Sequence, residues 1–180
     1  AILRGRLARI QAVLVVLAAM WAWVAGAFHA QRYAEINWAA DNFGWLFAAQ
    51  AGLMVLAAIW PGGLRPGAVW ARWTGAAMFV FALVALPLAG LAVDRQWYEV
   101  EFFALTPDPT AIGTLGVMVA LAGAWRWLLA LIPLVWCVIG GGTLLAMDSP
   151  EAYLAWGAAG VVALTLIASA FTAPQAAQTA

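Results

Sequence analysis

Lysine is absent from this 180-residue chain, histidine and cysteine occur once each, and charged residues make up only 9% of it. Each scarcity excludes something. A single cysteine rules out a disulfide framework and a Cys-rich metal site. A single histidine rules out two-His ligation of a haem within the chain. Eight arginines against eight acids leave a formal charge of zero, so no basic excess is available to neutralise nucleic-acid phosphates. So few charges cannot cover an independent soluble domain, in which about a quarter of the residues are charged. There is no nucleophile–base pair, no Gly-rich phosphate loop and no paired-His motif, so hydrolase and nucleotide-binding readings lack support.

What the chain does have is apolar residues, 67% of the total, and twelve tryptophans. A bilayer core takes about 20 mostly apolar residues per helix. Six stretches qualify: 7–28, 43–60, 73–93, 109–125, 127–147 and 152–171. Every backbone polar group in lipid must be paired internally, and the alternating pattern of a barrel is absent, so the expected class is all-α. The expectation is one polytopic transmembrane helix bundle over 1–171, with short loops and a flexible tail over 172–180. Arg4, Arg6 and Arg9 ahead of the first run outline a signal peptide, but the run exceeds the hydrophobic region of about 7–15 residues that is cleaved. It reads as a spanning helix, and Ala1 in place of Met leads us to expect that residues upstream were removed.

On this map the acids all fall on one side. Arg4, Arg6, Arg9, Arg65, Arg72 and Arg126 share one face with no acid. The other face holds Arg32 and Arg95 with Glu35, Asp41, Asp94, Glu99, Glu101, Asp108, Asp148 and Glu151. The positive-inside bias puts the first face, and both chain ends, in the cytoplasm of a bacterial inner membrane. An acidic periplasmic face is then expected. Trp38, Trp45, Trp60, Trp70, Trp73, Trp97, Trp125 and Trp127 lie near helix ends, where indole is half apolar and half wet, while Trp136 falls near the centre of a span.

Two loops of the acidic face hold the candidate site residues. His29, Arg32 and Glu35 fall at i, i+3 and i+6, roughly one face if the first helix continues outward, which suits proton or metal handling or an interfacial ion-pair network. Asp94, Glu99, Glu101 and Asp108 suit cation binding or docking of a basic partner, against the plainer reading of a solvated acidic rim. Asp108 before Pro109 reads as a helix cap followed by proline at the first helical position. No Asp, Glu, Arg or His sits near the middle of a span, which counts against a proton-coupled pump. Pro133, with Trp136 and Gly140, Gly141 and Gly142, marks a place where freed backbone groups meet a ligand or where helices simply pack. Gly113 with Gly116, and Gly157 with Gly160, are expected to let helices approach closely.

Two stretches carry a resemblance. One runs Ala27-Phe28-His29-Ala30-Gln31-Arg32-Tyr33-Ala34-Glu35-Ile36-Asn37-Trp38-Ala39-Ala40. The other runs Thr106-Pro107-Asp108-Pro109-Thr110-Ala111-Ile112-Gly113-Thr114-Leu115-Gly116 and is followed by Ile132-Pro133-Leu134-Val135-Trp136-Cys137. In order and spacing they resemble a family of bacterial integral membrane proteins catalogued as a domain of unknown function. The resemblance covers most of the chain and implies fold and location only. It further implies a longer N-terminus than the one present here.

The leading expectation is a non-enzymatic accessory or scaffolding subunit of a larger membrane complex. Its apolar flanks would hold lipid, quinone or pigment, with no metal, nucleotide or catalytic residue. The alternative is a small transporter or channel for a neutral or cationic solute, with an acidic periplasmic mouth and a path along Pro133 and Gly140–Gly142. A third class, a membrane enzyme, would require Glu99, Glu101 and Asp108 to converge with His29.

Overall fold

A computed structural model describes residues 2–92 and 96–172, with side chains described from Gly5 onward. Six helices follow one another. The first, Ile2–Trp23, runs on through a π-helical stretch, Val24–Ala30. The second is Ala40–Ile59. The third, Val69–Val80, continues through a π-helical turn, Phe81–Ala85, into Leu86–Ala92. The fourth, fifth and sixth are Pro107–Ala120, Trp125–Ala146 and Ala152–Phe171. Among the described residues the only strands are Arg65–Pro66 and Leu121–Ala122, which pair antiparallel with Arg65 opposite Ala122. The architecture is all-α.

Five helical segments are long and apolar enough to cross a membrane: Gly5–Glu35, Ala40–Ile59, Val69–Ala92, Trp125–Ala146 and Ala152–Phe171. The stretch expected to span at 109–125 differs. Its helix has 14 residues, a rise of about 21 Å against a hydrocarbon core of about 30 Å. Pro107 opens it and the backbone turns extended at Leu121. Beyond that, Gly123 adopts φ 116° and lies so close to the Gly63 backbone that no Cβ would fit. A short helix with irregular ends is tolerable at membrane depth only when protein encloses it. Eleven of its residues are buried, from Pro107 to Val119, so it is covered on all sides, as a central helix must be. Gly67 N donates to Ala120 O at 2.9 Å and, with the strand pair, takes up backbone groups at its C-terminal end.

The third helix is the fourth helix's closest companion. A Cβ on Gly75 would stand 2.9 Å from Ala120 N, and one on Gly116 would stand 2.6 Å from Gly75 O, so the two backbones touch where neither residue has a side chain. Gly113 accommodates the Phe103 ring in the same way. Gly157 and Gly160 do not repeat the pattern, since added Cβ atoms there would meet open space. The expected small-residue contact at that pair is absent because the sixth helix turns those residues outward, where both are accessible to the surroundings.

Around the fourth helix the core is filled by Leu14, Trp21, Phe47, Met54, Ile112, Leu115, Met118, Leu129 and Leu166, all fully buried. Trp21 Nε1 donates to Thr114 Oγ1 at 2.9 Å, tying the first helix to the fourth through a paired polar contact. Trp38, Trp45, Trp73 and Trp97 are exposed, as rim indoles should be.

The glycine contact yields a contrast. Gly75→Val should destabilise the bundle by about 1–3 kcal/mol through overpacking. Gly160→Val should stay within about 0.5 kcal/mol of the parent. Thermal unfolding in mild detergent, followed by size-exclusion of the surviving monodisperse fraction, separates the two. Equal losses would show that the third and fourth helices do not depend on this contact.

Candidate functional site: an aromatic and acidic cavity at one end of the bundle

Six helices in up-and-down order bring the end of the first, the start of the second, the start of the fourth and the end of the fifth to the same end of the bundle. There they line an open cavity of about 350 Å³, within the range of about 300–1,000 Å³ typical of small-molecule sites. Phe28, Tyr33, Phe43 and Trp136 supply aromatic walls, and Glu99, Glu101 and Asp108 supply carboxylates. Gly140 and Thr143 of the fifth helix complete one side. A second, tighter cavity of about 20 Å³ lies beside it, lined by Glu101, Asp108 and Glu151.

Asp108 joins the two cavities. It lies in the first turn of the fourth helix, where the backbone dipole favours a carboxylate. Trp136 Nε1 donates to its Oδ1 at 2.6 Å, a charge-assisted contact of the stronger kind. Gly140, one turn beyond Trp136, makes room: a Cβ there would be 2.8 Å from the same oxygen. The expected capping role for Asp108 is not what forms. Thr106 precedes the helix in extended conformation, Pro107 begins it, and no side-chain cap bond is made. Thr110 organises the approach instead, its Oγ1 donating to Thr106 O at 2.6 Å and accepting from Ala104 N at 2.9 Å. That holds Ala104 at φ 66° and leaves the aspartate facing Trp136. Glu99 Oε2 accepts from Gln96 N at 2.9 Å, closing the turn that brings both loop glutamates to the cavity. Asp94 lies outside the described residues.

The expected face of His29, Arg32 and Glu35 breaks up. The π-helical turn carries His29 inward to 0% exposure, while Arg32 and Glu35 stay on the surface. A π turn takes more residues than an α turn, so an i, i+3, i+6 relation no longer marks one side. His29 sits among rings: Phe47 at 4.6 Å between centroids, Phe28 and Trp136 at 5.2 Å, Tyr33 at 6.0 Å and Phe43 at 6.2 Å. Neither of its ring nitrogens has a hydrogen-bond partner among the described residues. Glu99, Glu101 and Asp108 thus converge, but His29 stands apart from them behind the rings. Among the described residues no group of three His, Cys, Asp or Glu is placed to hold a metal ion.

Pro133 does free a backbone group, and the chain itself takes it up. Proline lacks the N–H that would bond Leu129 O four residues back. Gln50 Nε2, from the second helix, donates to that carbonyl at 2.8 Å in a fully buried contact. Gly141 is covered by the Trp156 indole, which donates to Val138 O at 3.4 Å, and Gly142 faces open space. Of Pro133, Trp136 and Gly140–Gly142, Trp136 and Gly140 line the cavity. At the opposite end Arg126, expected in the turn between the fourth and fifth spans, is buried at 4% exposure. It donates to Leu121 O, Ser169 Oγ and Leu166 O at 2.9–3.2 Å.

Tyr33, Phe43, Phe28 and Gln50 were not among the sequence candidates. Gln50 did carry a signal, as an amide inside an apolar run. The rings carried none, because aromatic residues near helix ends occur throughout this sequence.

The model of one protein family matches residues 2–178. The chain belongs to the family of unknown function DUF6064. No curated protein and no solved structure matches it. Membership of DUF6064 agrees with the resemblance read from the loop wording and assigns no residue a role.

A double-mutant cycle tests the Pro133–Gln50 account. Gln50→Leu should cost about 1–3 kcal/mol in the parent, by orphaning the buried Leu129 carbonyl. In a Pro133→Ala background, where the substitution restores a backbone N–H to that carbonyl, the same change should cost clearly less. Unfolding midpoints of the four proteins give the coupling, and purely additive losses would contradict the account.

Proposed function

We propose that the chain is an integral protein of the bacterial inner membrane that binds an organic cation in this cavity, as the receiving site of a small transporter or channel. The supporting observation is the composition of one enclosure: four aromatic rings and three carboxylates around about 350 Å³. Ring faces attract a cation by about 0.5–2 kcal/mol each as it loses water. Carboxylates at the same mouth add long-range attraction, and apolar walls accept the ligand's methyl groups. Among the described residues no three His, Cys, Asp or Glu are grouped as metal ligands, and the rings favour an organic cation.

The charge map supports the same reading. Among the described residues, Glu35, Asp41, Glu99, Glu101, Asp108, Asp148 and Glu151 fall by their places in the chain at the cavity end with Arg32, and six arginines fall at the other. The positive-inside bias then turns the cavity toward the periplasm and both chain ends toward the cytoplasm. The accessory-subunit reading, with lipid, quinone or pigment on the apolar flanks, has no comparable feature behind it, so the cavity takes precedence.

Two measurements check this. In the detergent-solubilised protein, tetramethylammonium should bind saturably by calorimetry, and Phe43→Leu should weaken it about tenfold, the equivalent of one lost ring contact. Absence of saturable binding at tens of millimolar would sink the cation reading. For orientation, in a Cys137→Ala background, Glu35→Cys should react with an impermeant maleimide on intact cells, and Arg65→Cys should not. The reverse pattern would invert the assignment.

A further inference from the structure

The same rings that wall the cavity also cage the histidine. Phe28, Tyr33, Phe43 and Trp136 line the open space on one side and lie 5.2–6.2 Å, centroid to centroid, from His29 on the other. Among the described rings in contact with His29, Phe47 is the one that does not line the cavity. The imidazole is 0% exposed, and both of its nitrogens lack hydrogen-bond partners among the described residues. Leaving such a group unpaired is costly, and a side chain needed only for filling would be better served by Leu or Phe at the same place. The local backbone is built to hold it there: a π-helical stretch turns His29 inward.

We propose that His29 is the recognition group at the inner end of the cavity, reached when the ring wall parts, and that it hydrogen-bonds a hydroxyl carried by the cationic ligand. This inference rests on the cation reading and specifies the ligand's class: an ammonium group held among the rings and carboxylates, with a hydroxyl extending inward. A neutral imidazole offers one N–H donor and one acceptor nitrogen. A hydroxyl, itself donor and acceptor, satisfies either nitrogen. Parting of the wall falls to the half-buried Phe28, Tyr33 and Phe43, since Trp136 is held by its bond to Asp108.

The sole histidine makes the test direct. The protein labelled with ¹⁵N-histidine, reconstituted in lipid nanodiscs, gives ring signals from His29 alone. These are followed during titration with choline and with tetramethylammonium, which lacks the hydroxyl. The expected result is a choline-specific displacement of one ring-nitrogen signal. Choline should also bind about three- to tenfold tighter than tetramethylammonium, an advantage lost in His29→Leu. Undiminished tetramethylammonium binding by His29→Leu certifies that the variant is folded. Choline binding at tetramethylammonium's affinity, with no movement of the His29 signals, would overturn this inference and leave the cation reading intact. Binding of neither probe would overturn both.

Discussion

Backbone N–H and C=O groups must find partners inside the protein wherever water is absent, and in this fold the fourth helix makes that demand severe. It is too short to cross a bilayer, its C-terminal end passes into extended chain, and lipid can satisfy neither end. The bundle resolves this by enclosing it. The third helix touches it backbone to backbone at Gly75 and Gly116, the Arg65–Pro66 segment pairs with the chain leaving it, and the first helix reaches it through Trp21 and Thr114. The five longer helices form the wall that allows the fourth to be irregular.

The cavity lies at the other end of the same helix. Asp108, in its first turn, lines the space beside Trp136, which donates to it. The loop glutamates and the rings of Phe28, Tyr33 and Phe43 line the same space. An acidic rim alone would have attracted cations without selecting among them. Rings behind the carboxylates add a preference for cations that shed water easily.

Much of this was legible in the sequence, for reasons that can be named. Helix class and order follow from apolar run length, and the loop acids Glu99, Glu101 and Asp108 were identifiable as a group because charge is so scarce. Composition could not reveal that 109–125 stops short, since Leu121 and Ala122 are as apolar as the helix they end. The inward turn of His29 was hidden for a related reason: a π-helical stretch alters the residue count per turn without any special residue type to announce it. Gln50 and Pro133 could each be noticed singly. Their pairing could not, because it depends on which helix lies beside the proline.

The π-helical stretch Val24–Ala30 has a consequence of its own. A widened turn is geometrically equivalent to one residue inserted into a regular helix, and each α-helical residue accounts for about 100° of rotation. With one residue fewer between Val24 and Phe28, the first helix would fit the bundle equally well up to Trp23. Everything beyond would then be rotated by roughly that angle, with the imidazole facing lipid instead of rings. The position of the buried histidine is therefore encoded in chain length rather than in any neighbouring side chain, and within a helical family it would be gained or lost by a single codon.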